Sequence, residues 1–174
     1  MPVPTLIATP GAADANSYCT LAEANTYHDA HLYATTWTGA ASDDVRTVAL
    51  IMATRLIDQH IDWDGAKTSE TQALRWPRTG MEDGDGYSID SDVIPQLLKD
   101  ATAELARLLI GSDLTTTSSS GGEINSIKVG PIAIGYAEGV TAEVVTIPDS
   151  VFFMLRQWGT VRGRANGAIP LYRV

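Results

Sequence analysis

The apolar residues of segment 94–109 recur at helical spacing, and this pattern constrains the fold more than any other in the chain. They lie three or four positions apart, at Ile94, Leu97, Leu98, Ala101, Leu105, Leu108 and Leu109. Such spacing places them on one face of an α-helix, which must be buried against other elements. We predict a long helix capped by Ser91 or Asp92, with Pro95 in its first turn and Gly111 at its end.

Two earlier segments show the same spacing and predict two more helices. Thr20 and Glu23 have the spacing of a capping box, so a helix of three to four turns is expected after Thr20. Ser42 is expected to cap a helix that ends between His60 and Asp64. Between these helices we expect a loop at 34–42, a short helical turn at 69–74 and a Gly- and Asp-rich turn at 79–92.

The hydrophobic pattern changes after residue 111. Residues 111–123 are rich in Gly, Ser and Thr, which predicts a flexible linker. Residues 125–147 contain alternating apolar positions around Gly130-Pro131, which predicts a β-hairpin. Pro148 is expected to open the last helix.

The fold class predicted is mainly α, a small helical bundle with a β-hairpin insertion before the last helix and an extended C-terminal segment. The expected divisions are an N-terminal extension at 1–17, a helical domain at 18–158 and a C-terminal docking tail at 159–174.

Charge is distributed unevenly along the chain. The 174 residues contain 12 Lys+Arg and 21 Asp+Glu, a net charge of −9. All the acids lie within residues 1–155, whereas residues 156–174 contain four arginines and no acid. A net negative charge argues against a protein whose main function is to bind the phosphates of nucleic acids, although a local basic patch could still exist.

Cysteine content and hydropathy limit the class of protein. One cysteine, Cys19, excludes an intrachain disulfide and a Cys-based zinc site, and it fits a reducing compartment. The first residues lack a basic region followed by an apolar stretch, so no signal peptide is expected. No run of 18 apolar residues predicts a membrane span.

Two short motifs contain residue types that bind metal ions. His28 and His31 would lie on one helical face with Glu23 as a third candidate ligand, but helical metal pairs usually lie four residues apart. The acidic segment 82–92 resembles a calcium loop in its alternating acids, although Met81 stands where the first ligand belongs. For both motifs we favour a structural role.

Catalytic motifs were not found. The sequence contains no nucleophile elbow, P-loop or dinucleotide fingerprint, so we expect neither an enzyme nor a cofactor. Cys19 precedes a predicted helix, where a thiolate could be stabilised, but a small buried residue is the commoner role.

One short motif joins two cations to an aromatic ring, at Arg75, Trp76 and Arg78, and it could bind phosphate and stack a base. We favour instead a core Trp76, with the two arginines bridging the acids at 82–85.

An ordered set of short motifs resembles a known family. The motifs are Ala15-Asn16-Ser17-Tyr18, Leu21-Ala22-Glu23-Ala24, Tyr27-His28, Ala73-Leu74-Arg75-Trp76-Pro77-Arg78, Asp85-Gly86-Tyr87, Ile89, Ile94-Pro95, the run from Lys99 to Ala106, and Lys128-Val129-Gly130-Pro131. In this order and spacing, over residues 14–137, they resemble the head–tail connector (adaptor, or head-completion) proteins of tailed bacteriophages. Similar phage sequences are often labelled DnaT-like single-stranded-DNA-binding proteins.

The resemblance implies a virion structural protein that assembles as a ring, commonly a dodecamer, beneath the portal. Its partners would be the portal protein, tail or neck proteins and further copies of itself, and its location would be the virion neck after assembly in the host cytoplasm. DNA would pass through the ring without specific binding, with which an acidic body is compatible. The alternative is a single-stranded-DNA-binding module, which needs a basic groove with aromatic platforms.

Two segments are candidates for docking in a ring of this kind. The C-terminal set, expected to bind the portal or a neighbouring subunit, is Arg156, Trp158, Arg162, Arg164, Ile169, Leu171, Tyr172 and Arg173. The hairpin set, expected to bind the tail or a neighbour by strand addition, is Ile127, Val129, Ile132, Ile134 and Tyr136.

Overall fold

The computed structural model describes residues 3–115, 126–129, 132–135 and 147–162. The helices are α1 Leu21–Asp29, α2 Thr35–Thr38, α3 Asp43–His60, α4 Gln96–Gly111 and α5 Asp149–Leu155. The strands are β1 Ile61–Trp63, β2 Ala66–Lys67, β3 Arg78–Thr79, β4 Ser126–Val129, β5 Ile132–Gly135 and β6 Gly159–Val161. They form three antiparallel pairs, β1 with β6, β2 with β3 and β4 with β5. The predicted mainly α fold class with a hairpin before the last helix is confirmed.

The starts of α1 and α3 follow the predicted caps. Thr20 Oγ1 accepts a hydrogen bond from the Glu23 amide, and the Glu23 carboxylate accepts one from the Thr20 amide at 2.7 Å. Ser42 Oγ accepts a hydrogen bond from the Val45 amide at the start of α3. α1 has only nine residues and is therefore shorter than predicted.

The predicted start of α4 is wrong. α4 begins at Gln96, with Pro95 as its N-cap in extended backbone, rather than after Ser91 or Asp92. An earlier start would place Ile94 inside the helix directly before a proline, where the proline ring disfavours helical backbone. Residues 90–93 form a turn instead, closed by the Val93 amide donating to the Asp90 carbonyl.

Two other local predictions are corrected. The predicted loop at 34–42 contains the short helix α2, whose Trp37 is buried. The predicted helical turn at 69–74 is absent from the described residues, because side chains replace its helical hydrogen bonds. The Gln72 amide group accepts from the Ser69 amide and donates to the carbonyls of Leu74 and Pro77.

The core lies where α4 packs against α3 and α5. Its fully buried members include Leu50, Ala53 and Ile57 of α3, Leu98, Ala101 and Leu105 of α4, and Val151 and Leu155 of α5. Burying each of the larger side chains contributes roughly 1.5–3 kcal/mol. No helix in the described part of the chain is long and apolar enough to span a membrane.

The segments that flank the predicted helical domain also make contacts with it. In the N-terminal segment, the Ile7 amide donates to Asn16 Oδ1, and the Ala12 carbonyl accepts from the Ala73 amide. At the other end, β6 pairs with β1, and the Arg162 amide donates to the His60 carbonyl at 2.8 Å. Residues 163–174 of the predicted docking tail, and most of the predicted linker, lie outside the described residues.

Candidate nucleic-acid interface

A groove of about 770 Å³ lies between the N-terminal segment, one face of α3 and the loop that follows β2. Five cationic side chains line it, at Arg55, Lys67, Arg75, Arg78 and Arg162. Among the described residues that line it, Asp58 is the only acid. We call this the cationic groove, and it stands out because the whole chain carries a net charge of −9.

The α3 helix supplies the floor of the cationic groove through its repeat. Residues at positions 51, 54, 55 and 58 are three or four apart, so they share one face of the helix. On this face the Thr54 hydroxyl accepts a hydrogen bond from the Tyr18 amide, which fixes the N-terminal segment beside α3. Arg55 is exposed on the same face, and no hydrogen bond or ion pair joins its guanidinium to another described residue.

The Asp58 carboxylate is engaged by the protein itself. One of its oxygens accepts a hydrogen bond from the Tyr18 hydroxyl, and the other accepts one from the Arg75 amide at 3.1 Å. Burial raises the pKa of Asp58 above its ordinary value, and the hydrogen bonds oppose this effect. The Asp58 carboxylate is therefore occupied by hydrogen bonds within the protein. The other charged side chains that line the groove are cations.

Arg78 is the buried member of the five cations. Its guanidinium donates to the carbonyls of Asp64, Arg75 and Gly65, the last at 2.8 Å. Desolvation lowers the pKa of Arg78, although the group remains a cation. Arg78 thus adds positive charge behind the cationic groove while its hydrogen-bond donors brace the loop.

Trp76 packs in the core, as we favoured from the sequence. It is 1% exposed, and its ring meets the edges of Trp63 and Trp158 at centroid distances of 5.7 and 5.5 Å. The expected bridges from Arg75 and Arg78 to the acids at 82–85 are wrong: Arg78 binds carbonyl groups instead, and the Arg75 guanidinium pairs with no acid among the described residues. The reason is that β2–β3 pairing places Arg78 beside the turn at 64–65.

The predicted C-terminal docking residues fall in different environments. Trp158 is buried, and its indole Nε1 donates to the Glu82 carbonyl at 2.8 Å. Arg156 is exposed and lies over the Phe153 ring at 5.4 Å. Arg162 lines the cationic groove and pairs with Asp62 at 2.6 Å. The other members of this set, Arg164, Ile169, Leu171, Tyr172 and Arg173, lie outside the described residues.

The predicted hairpin is present as β4 and β5. Ile127 lies opposite Ile134, and Val129 lies opposite Ile132. Tyr136, the last residue of the hairpin set, lies outside the described residues. Within the described residues β4 and β5 pair only with each other, so each has one edge without a partner strand.

The motifs weighed as metal sites have structural roles. The buried His28 ring lies 4.5 Å from the Trp37 ring, and its Nε2 lies 3.1 Å from the Ala103 carbonyl oxygen. In the acidic turn, Asp83 Oδ1 accepts from the amides of Asp85 and Tyr87. No group of three His, Cys, Asp or Glu residues is placed to hold a metal ion in the parts of the chain that the structure describes.

Cys19 is a small buried residue, as expected. It is fully buried, and desolvation raises its pKa to about 12. A thiol with so high a pKa carries almost no thiolate at neutral pH, so it is a poor nucleophile.

The described residues form a small, mainly helical protein with a strongly cationic groove. Over residues 5–173 the chain matches the model of a family described as "Putative DnaT-like ssDNA binding protein", and it belongs to this family. No curated protein and no solved structure matches it significantly.

The sequence did not reveal the cationic groove. Arg55, Lys67 and Arg162 are far apart along the chain, and each looks like an ordinary surface cation. The helical spacing of positions 51, 54, 55 and 58 is a local signal for the floor of the groove, which α3 forms. The aromatic and basic motif at 75–78 drew attention to the right loop, although its Trp76 faces inward.

Proposed function

We propose that the protein binds single-stranded DNA through the cationic groove. The observation that carries this proposal is the convergence of five cations around one engaged acid in a chain of net charge −9. Cations that neutralise phosphates release condensed counterions, which supplies most of the affinity of sequence-independent binding. Membership of a family described as ssDNA-binding supports the same function.

Four of the five cations can reach a phosphate. The guanidiniums of Arg55 and Arg75 make no hydrogen bond or ion pair with other described residues. Lys67 Nζ donates to the Gln72 carbonyl at 2.8 Å and keeps two further donors. Arg162 pairs with Asp62 in an exposed ion pair, which a phosphate can displace because such pairs are weak.

The acidic remainder of the protein would confine the strand to the cationic groove. Like charges repel a polyanion over roughly a Debye length, about 10 Å at moderate ionic strength. A cleft of opposite sign in such a surface concentrates the field and guides the ligand to it. The net charge of −9 is therefore compatible with binding, provided that the ligand contacts the cationic groove alone.

Fluorescence anisotropy with a labelled oligothymidylate tests this proposal. Arg55→Gln and Arg75→Gln should each weaken binding about fivefold, the order of one exposed ion pair. Each should also reduce the slope of log K against log salt by about 0.7. Arg156→Gln is the matched control, since it removes the same charge outside the cationic groove and should leave both quantities unchanged. Equal losses in all three variants, or no binding by the native protein, would contradict the proposal.

A head–tail adaptor of a tailed bacteriophage is the second candidate function. It is favoured by the unpaired edges of β4 and β5, because strand addition at such an edge is a common way to dock a neighbour. In this role the protein is not an enzyme. It would form a ring in the virion neck, commonly of twelve copies, that binds portal and tail proteins and lets DNA pass without holding it.

The two candidates predict opposite results in the same assays. An adaptor gives no salt-dependent oligonucleotide binding, and electron microscopy of labelled particles places it between portal and tail. A particle with a normal neck that lacks this protein would contradict the adaptor role. Deleting residues 163–174, the part of the predicted docking tail that follows β6, should abolish portal binding in the adaptor, because this deletion keeps the β1–β6 pair.

A further inference from the structure

We infer that the cationic groove recognises the sugar–phosphate backbone alone, so that its ligand class is any flexible single-stranded phosphodiester chain, RNA as well as DNA. The inference rests on the proposed DNA-binding function and deepens it. It follows from two properties of the lining, which are the position of the aromatic rings and the chemistry of the polar groups.

The aromatic rings around the cationic groove are not available to bases. Tyr18 and Trp76 are each 1% exposed, and Trp63 is 9% exposed. The Tyr18 hydroxyl is bound to Asp58, and Trp76 lies between Trp63 and Trp158. Stacking requires an exposed ring face, so these rings cannot form the platforms that base-contacting single-strand binders use.

Exposed aromatic side chains occur elsewhere on the described surface. Tyr33 and Tyr87 are each 73% exposed and Phe153 is 58% exposed, but none of them lines the cationic groove. The Arg156 guanidinium already lies over the Phe153 ring. A strand held by the groove cations would therefore keep its bases away from protein rings.

Most polar side chains of the lining donate, and the exposed Gln59 amide is the side-chain group that can also accept without a hydrogen-bond partner among the described residues. Arginine and lysine side chains only donate, which suits phosphate oxygens. Both groups of the Asn16 amide are bound to the N-terminal segment, and the Asp58 oxygens are bound to Tyr18 and Arg75. Distinguishing all four bases, or a ribose 2′-hydroxyl, takes acceptors as well as donors at fixed positions, whereas donors alone contact guanine N7 and O6. With Gln59 as the one exposed amide, the described lining has few groups that could distinguish thymine or uracil from a strand without bases, or RNA from DNA.

Three labelled strands of equal length test the inference: oligothymidylate, oligouridylate and a deoxyribose-phosphate chain without bases. We expect dissociation constants within about threefold of one another, because stacking on even one ring would separate them further. Arg55→Gln should weaken all three equally. Tyr87→Ala and Phe153→Ala should leave all three unchanged.

The failures of the inference and of the proposed function are distinguishable. If oligothymidylate binds and the abasic strand binds tenfold or more weakly, bases are read, so the inference is overturned and the proposed function stands. A tenfold deficit for oligouridylate alone overturns the claim about RNA. Binding of none of the three strands overturns both the inference and the proposed function.

Discussion

Two neighbouring regions of the protein use arginine in opposite ways. Beneath the loop that follows β1, the guanidinium of the buried Arg78 binds a group of backbone carbonyls, which we call the carbonyl cage. On the surface of the cationic groove, the guanidinium donors of Arg55 and Arg75 bind no described residue. In the sequence, Arg75 and Arg78 look equivalent. What separates a structural cation from a binding cation is whether its donors are already occupied.

Removing the Arg78 guanidinium from the carbonyl cage should have the largest effect of the changes considered. Arg78→Met keeps much of the side-chain volume but leaves the carbonyls of Asp64, Arg75 and Gly65 without their donors. Each buried unsatisfied group costs about 1–3 kcal/mol, so we expect the free energy of unfolding to fall by about 3–5 kcal/mol. Urea denaturation measures the loss.

Arg78→Lys and Arg55→Gln provide the controls for this prediction. An ammonium cannot reproduce the planar fork, so Arg78→Lys should remain strongly destabilised although the charge is kept. Arg55→Gln should stay within about 0.5 kcal/mol of the native protein. A stable Arg78→Met variant that no longer binds DNA would reverse the roles assigned to the two regions.

A second, smaller perturbation acts on the backbone of the carbonyl cage. Gly65 has a φ of 65°, and a Cβ atom there would collide with the Thr79 carbonyl oxygen and lie 2.7 Å from Met81 Sδ. The strain and the collision should together cost about 2 kcal/mol of unfolding free energy in Gly65→Ala. Gly80→Ala is a matched control, since Gly80 also has a positive φ but has open space around it. Equal losses in the two variants would show that only the dihedral angle matters.

On the groove side, the exposed partner of Arg162 should oppose binding. Asp62 holds the Arg162 guanidinium at 2.6 Å, and that guanidinium in turn lowers the pKa of Asp62. Asp62→Asn frees the arginine and removes a negative charge, so affinity for oligothymidylate should rise about threefold. Asp85→Asn removes the same charge from the acidic turn and should change affinity far less. A rise of the same size in both variants would indicate a general charge effect.

The sequence predicted the elements better than the site. Apolar spacing located α3 and α4, and the Thr20–Glu23 pair and Ser42 fixed two helix starts, because caps and amphipathic faces are local properties. The start of α4 was misplaced where two local signals, a capping residue and a proline, disagreed. The cationic groove depends on β1–β6 and β2–β3 pairing, which place Arg162 and Lys67 beside the α3 face that carries Arg55, over long sequence separations. No local pattern encodes that convergence.

The smallest expected effect is a dependence of DNA affinity on pH. Asp58 is the acid among the described residues of the cationic groove, so its protonation changes the charge of the groove. Burial raises the pKa of Asp58 in the folded protein, so its proton is bound more tightly than in the unfolded chain. Its contribution to stability therefore increases as pH falls through the folded-state pKa. The same protonation neutralises the only carboxylate among the described groove residues, whereas the phosphates of DNA stay ionised.

Affinity for oligothymidylate should consequently increase by about twofold as the pH is lowered from neutral toward the raised pKa of Asp58, at fixed ionic strength. Asp58→Asn should abolish this increase above the range where ordinary carboxyl groups titrate, near pH 4. Anisotropy titrations across this pH range measure the effect, with circular dichroism at each pH to verify that the protein remains folded. An identical pH profile in Asp58→Asn would show that another group controls the electrostatics of the cationic groove.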